Sequence, residues 1–129
     1  MILDSSALVA MLTGAPEADA FIDAVSRAPV CRISAATFVE ASVVLEVRHG
    51  PELVRQLDAF LRRAAVGIEP VTEAQAHGAR QAYLDYGKGR HPAGLNFGDC
   101  FAYALAKALD EPLLFKGADF AQTDVTRAL

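Results

Sequence analysis

Four carboxylic acids stand in surroundings too apolar for freely solvated charge. Asp4 lies in MILDSSAL, Glu40 in TFVEASVV, Asp99 in LNFGDCFAYALAKAL and Asp119 in PLLFKGADF. A carboxylate withdrawn from water has to be paired, coordinated to a cation or neutralised. Too few basic residues lie close by in the sequence to pair these acids off if they gather. Two carboxylates about 5 Å apart repel by roughly 3 kcal/mol at an effective dielectric near 20, and four make six such pairs. A marginally stable domain does not carry that uncompensated. Mg²⁺ or Mn²⁺ would relieve it, because these hard cations take carboxylate oxygens and keep waters that exchange for substrate phosphate.

Each acid alone also has a plainer reading. Asp4 ahead of Ser5 and Ser6 fits an Asx-turn or helix cap, and Asp99 fits a cap with Asn96 as its rival. Asp119 fits a turn, Glu40 a solvent-facing helix position, and Asp124, a weaker fifth acid, a cap on a C-terminal strand. Convergence is what would select the chemistry.

The elements that would bring them together alternate along the chain. MILD reads as a first strand, with Ser5 and Ser6 as N-cap candidates for a helix through Leu12. Ala18, Phe21, Ile22 and Val25 have helical spacing within 17–28, and VCRIS reads as a second strand. Ser34 caps a third helix that Gly50 and Pro51 terminate. A fourth runs from Leu53 to Ala64 with Gly67 ending it, and GIEPV is the third strand. Thr72 caps a helix to about Tyr86. The loop GKGRHPAG, 87–94, is the only Gly/Pro-rich and basic one. The helix carrying Asp99 follows, then the strand LLF and a tail with at most one further short strand. This alternation implies an α/β fold, a three-layer α/β/α single domain over 1–129 with a short, mainly parallel central sheet. In such sheets sites form beyond the carboxyl ends of the strands. Asp4, Asp99 and Asp119 belong to that end, and Glu40 lies about 9 Å along its helix from Ser34.

Composition narrows the classes. The 129 residues, 53% hydrophobic, are ample for one core. No apolar run approaches a membrane span and MILDSSALVAML lacks signal-peptide features, so a cytoplasmic protein is the simplest reading. Cys31 and Cys100 have no metal or redox spacing and read as buried free thiols. His49, His77 and His91 fit no ligand pattern and read as surface or loop residues. A net charge of −4 argues against nucleic-acid binding by bulk charge. Bound divalent cations would reverse that locally.

Taken together, MILDSSAL, Glu40 near the head of the third helix, NFGDCFAYALAKAL and PLLFKGADFAQTDV resemble the PIN-domain family over the whole chain, and more narrowly its VapC-type toxins of bacterial toxin-antitoxin pairs. The resemblance implies a Mg²⁺-dependent endoribonuclease whose catalytic, metal-holding acids are Asp4, Glu40, Asp99 and Asp119, with Asp124 able to share the fourth role. It implies that Ser6 holds Asp4 or a metal-bound water. Phosphodiester hydrolysis would proceed by metal-activated water, with no histidine pair and no ribose hydroxyl as nucleophile. Lys88, Arg90, His91 and Lys116, flanking the Asp99 and Asp119 segments, are candidates for RNA phosphate contacts. A homodimer and a small cognate antitoxin are implied as partners, the antitoxin in an apolar groove that the helices at 35–48 and 52–65 would suit.

Two other classes fit parts of the pattern. A phosphoacceptor receiver domain shares the length, the parallel sheet and a lysine after a late strand, as Lys116 would be. It needs an acid pair after the first strand, where Ser5 and Ser6 stand, and an aspartate ending the third, where GIEPV offers Glu69. The other alternative is a PIN-like module that binds RNA or a partner without cutting.

Overall fold

The computed structural model describes residues 1–129. The elements run β1 (Ile2–Leu3), α1 (Ser5–Thr13), α2 (Ala18–Arg27), β2 (Arg32–Ser34), α3 (Ala35–His49), α4 (Pro51–Arg63), β3 (Gly67–Glu69), α5 (Glu73–Tyr86), α6 (Phe97–Leu109) and β4 (Leu113–Leu114), followed by a 3-10 turn, Phe120–Gln122. All strand pairings are parallel, in the order β3-β2-β1-β4. The chain thus steps outward from β1 to β2 and β3, then crosses through α5 and α6 to place β4 on the other flank of β1. This four-stranded order differs from the 2-1-3-4-5 order of a receiver domain. The reversal at β1 and β4 opens a crevice beyond their carboxyl ends.

Side chains alternate across the sheet and divide the core in two. Leu3, Ile33 and Leu114 face α1 to α4, packing with Leu8, Phe21, Leu45 and Leu57. Ile2 and Leu113 face α5 and α6, packing with Ala82, Leu95, Ala102 and Leu105. The central β1 and its neighbour β4 are buried on both faces, which is why IL and LL are continuously apolar, whereas β3 at the edge leaves Ile68 exposed.

Several boundaries differ from the expectation. The first strand stops at Leu3, and Asp4 caps α1, as its alternative reading had it, so both serines lie inside the helix instead of capping it. Helix α4 ends at Arg63, and Gly67 instead opens β3, which stops at Glu69. The tail contributes only a single bridge, Leu113 to Arg127. Ser34 and Thr72 cap α3 and α5 as expected, accepting from the amides of Ala36 and Gln75. Cys31 and Cys100 are buried free thiols.

Candidate active site

Asp4 is fixed on three sides. Its amide donates to the Leu114 carbonyl at 3.0 Å, tying the end of β1 to β4. Its Oδ2 accepts from the Ser6 amide at 3.0 Å and the Ser6 hydroxyl at 2.6 Å. Ser6 Oγ in turn accepts from the Lys116 amide at 3.0 Å, so the segment leaving β4 is tied to the same carboxylate. The other oxygen, Oδ1, is buried with no hydrogen-bond donor. An orphaned acceptor on a side chain only 1% exposed is costly and calls for an explanation.

Asp99 stands at the third position of α6. Asn96 is the cap, accepting from the Asp99 amide at 2.9 Å, and Asp99 Oδ2 accepts from the Asn96 amide at 2.9 Å. This reciprocal capping box reconciles the two readings of Asp99. One oxygen is spent on the helix end, and the carboxyl group remains buried beside the other acids.

Glu40 is half-buried on α3, one and a half turns past the cap. The Ser5 hydroxyl donates to its Oε1 at 2.6 Å. On its other side the carboxylate lies against the backbone of Gly98, where a Cβ would fall 1.6 Å from Oε2. The glycine in FGDC is therefore a steric condition for seating Glu40 at the head of α6. Asp119, exposed ahead of the 3-10 turn, caps nothing with its side chain.

The electrostatics record how close these groups are. Burial pushes Asp4 from 3.8 up to about 6; Ser6 opposes the rise and Glu40 adds to it. Burial likewise pushes Asp99 to about 7, against the Asn96 amide, with Asp4, Glu40 and Asp119 all raising it. Desolvation and like charge act together, the pattern expected where titratable groups are gathered for chemistry. The Cys100 thiol beside them is raised to about 11 by burial and Asp99, so it stays protonated and inert.

Other candidates lie elsewhere. Asp124 is committed to α6 farther along, accepting from Tyr103 at 2.5 Å and Lys107 at 3.1 Å. Its charge is not among those raising Asp99. Lys116 lines a cleft of about 350 Å³ with Ser5, Ser6, Glu40, Asn96 and Arg48, and pairs with Glu17 at 3.4 Å. Lys88 lies across α6 in a groove of about 590 Å³ with Tyr83, Phe97 and Phe101, and Arg90 stacks over Tyr83. His91 is tied within its loop, accepting from the Ala93 amide at 3.0 Å, while His49 and His77 are exposed.

As the side chains lie, no three or more His, Cys, Asp or Glu groups form a closed metal-ligand arrangement. The fit to a hard cation is one of donor chemistry: oxygen ligands only, two of them on buried acids, and one oxygen with no other partner. Ser5 and Gly98 touch Glu40, and Arg48 lines the same cleft, although the sequence named none of them for the site. Gly98, between Phe97 and Asp99 in a helix first turn, was the one with a visible signal, since glycine there weakens the helix unless something needs the space.

The PIN domain family model matches residues 1–125. Ribonuclease VapC28 of Mycobacterium tuberculosis is 51% identical over 130 residues, covering 100% of this chain and 98% of the relative. Ribonuclease VapC of Mycolicibacterium smegmatis is 52% identical over 125 residues, covering 97% of each. Among solved structures, M. tuberculosis VapC20, described as a sarcin-ricin loop cleaving toxin, superposes with a TM-score of 0.79 at 19% identity, covering 97% of this chain and 95% of that one. A toxin-antitoxin complex from Klebsiella pneumoniae gives 0.71, also at 19%, covering 95% and 92%. At that identity these two establish the fold alone.

Proposed function

We propose, from the premise that the chain belongs to the PIN-domain family in its VapC-type branch, that it is the endoribonuclease toxin of a toxin-antitoxin pair. It hydrolyses RNA phosphodiester bonds with Mg²⁺, or Mn²⁺ as a substitute, and is restrained by a small cognate antitoxin. The observation that carries the metal-dependent reading is the buried pair Asp4 and Asp99 with no protein cation beside it, and an Asp4 oxygen that nothing in the fold satisfies.

Asp4 and Asp99 are the principal ligands, with Glu40 and Asp119 completing the set. We leave Asp124 out of the set because it accepts hydrogen bonds from Tyr103 and Lys107. A divalent cation held there supplies an acidified water and a countercharge for the leaving oxygen. The chain's own part is positional. Ser6 orients Asp4, Asn96 orients Asp99, and Ser5 with Gly98 seats Glu40. Lys116 and Lys88, on the two sides of the acids, contact RNA phosphates, and Arg90 and His91 extend that role into the 87–94 loop.

The partners follow the same reading. The antitoxin covers the α3 and α4 face, where Val39, Val43 and Val47 form an exposed stripe at helical spacing beside Val54. The protein acts as a homodimer in the cytoplasm. No helix is long and apolar enough to cross a membrane.

Purified, antitoxin-free protein incubated with cellular RNA, in Mg²⁺ or in chelator, tests the central claim, with Asp99→Asn as control. Cleavage in Mg²⁺ alone is expected. Cleavage that persists in chelator or in the variant overturns the metal chemistry, and no cleavage of any RNA overturns the enzyme in favour of a binding module.

A further inference from the structure

A net charge of −4 gives the molecule no general attraction for RNA, so any affinity for a strand has to come from particular cations near the acids. The cleft between α1 and α3 offers one that the reading above does not use. Glu40, Val44 and Arg48 fall four residues apart on one face of α3 and line this cleft opposite Val9 and Thr13 of α1. Arg48 is therefore about 12 Å along the helix axis from Glu40, on the same wall. The arginines paired with carboxylates are Arg27, Arg32 and Arg55, and Arg48 is not among them. Its guanidinium is exposed and uncommitted at the outer end of a channel whose inner end is the acid centre.

We propose that Arg48 anchors a phosphate of the RNA strand flanking the scissile bond, so that the strand leaves the acid centre along the cleft between α1 and α3. This rests on the ribonuclease reading of the same site. The distance along α3 rules out the scissile phosphate, which belongs beside Asp4 and Asp99. Two donors on a planar fork suit a phosphate's oxygens, and of the two cations lining this cleft Lys116 is paired with Glu17 whereas Arg48 is paired with no carboxylate. Arg48 also lies in the last turn of α3, where a cation favours the helix dipole, so the test must separate the two roles.

Binding of a fluorescent single-stranded RNA is measured by anisotropy across a salt series in Mg²⁺, comparing Asp99→Asn with Asp99→Asn carrying Arg48→Ala or Arg48→Lys. Arg48→Ala should weaken binding about tenfold for every sequence tested, and the logarithmic salt slope should shrink by about 0.7. Arg48→Lys should recover the slope. In the cleavage-competent protein, Arg48→Ala should raise KM by the same factor with kcat retained. Unchanged affinity and slope, with only a lower melting temperature, would make Arg48 a helix-end residue and overturn the proposal. RNA binding that depends on Arg48 in a protein that cleaves nothing overturns the enzyme and keeps the anchor. No binding to any RNA overturns both.

Discussion

At the amino end of the sheet, Glu111 accepts from the amino group of Met1 at 2.5 Å and from Arg32 at the start of β2. Those two cations hold its carboxyl below the usual range, the Met1 amino group most strongly. At the carboxyl end of the same strands, Asp4 and Asp99 have no cation, and burial drives both upward to about 6 and 7. One arrangement contributes to folding. The other costs stability, roughly 3 kcal/mol for Asp4 alone once the pH exceeds about 6. A fold that meets charge with charge at one end and withholds it at the other has the pattern of a functional site at the second end.

The contrast is broken most sharply by Asp99→Asn. The asparagine oxygen can still accept from Asn96, so the helix cap survives while a proposed metal ligand and a buried carboxylate disappear. RNA cleavage should fall by at least roughly a thousandfold, while the metal-free melting temperature at neutral pH should hold or rise. Scanning fluorimetry alongside a cleavage assay reads both. A parallel loss of stability and activity would mean that the acid is structural.

Gly98→Ala tests the same end by crowding rather than by charge. The added Cβ meets the far end of the Glu40 side chain, which can swing away at little cost to the fold. Activity should drop about tenfold to a hundredfold with the melting temperature nearly unchanged. Full activity would remove Glu40 from the reaction.

Titration sharpens the comparison without mutation. Because Asp4 and Asp99 bind protons more tightly folded than unfolded, their contribution is most favourable below about 4 and is lost as the pH rises towards 7. Glu111 and Asp124 have the opposite sign, but their lowered values complete their changes at or below the ordinary carboxylate range. Melting temperature of the metal-free protein should therefore fall by about 10 °C from pH 4.5 to pH 7.5, and millimolar Mg²⁺ should flatten that slope. A flat profile in chelator would contradict the electrostatic picture. The smallest effect belongs to the other end: Glu111→Gln should lower stability by about 1 kcal/mol in urea melts and leave cleavage unaltered. A change in cleavage would mean that the two ends are coupled.

The sequence made the carboxyl end legible as a set of acids, because each one interrupts an apolar pattern. Helix starts at Ser34 and Thr72 were equally plain, since their caps act within three residues. What it hid are contacts between distant segments. Ser5 meeting Glu40 spans 35 residues, and the Gly98 contact joins α3 to α6. The contacts of Asp124 with Tyr103 and Lys107 on α6 are of the same kind. Asp4, Ser5 and Ser6 are all good cap residues in succession, so the sequence leaves Asp4 open as strand end or helix cap. The choice among them fell to β4, whose Leu114 carbonyl and Lys116 amide fix where the turn begins.

The Ser6 hydroxyl has one hydrogen. With the Lys116 amide already donating to its oxygen, that hydrogen is committed to Asp4 Oδ2, which also takes the Ser6 amide. An extra proton on Asp4 is therefore best placed on Oδ1, the atom the proposed cation would also take. On the metal-dependent reading, proton and metal would be rivals for one seat. In the neutral to mildly acidic range, apparent metal affinity should change with pH by the titration of that oxygen, making hydrogen ion a competitive inhibitor of metal binding.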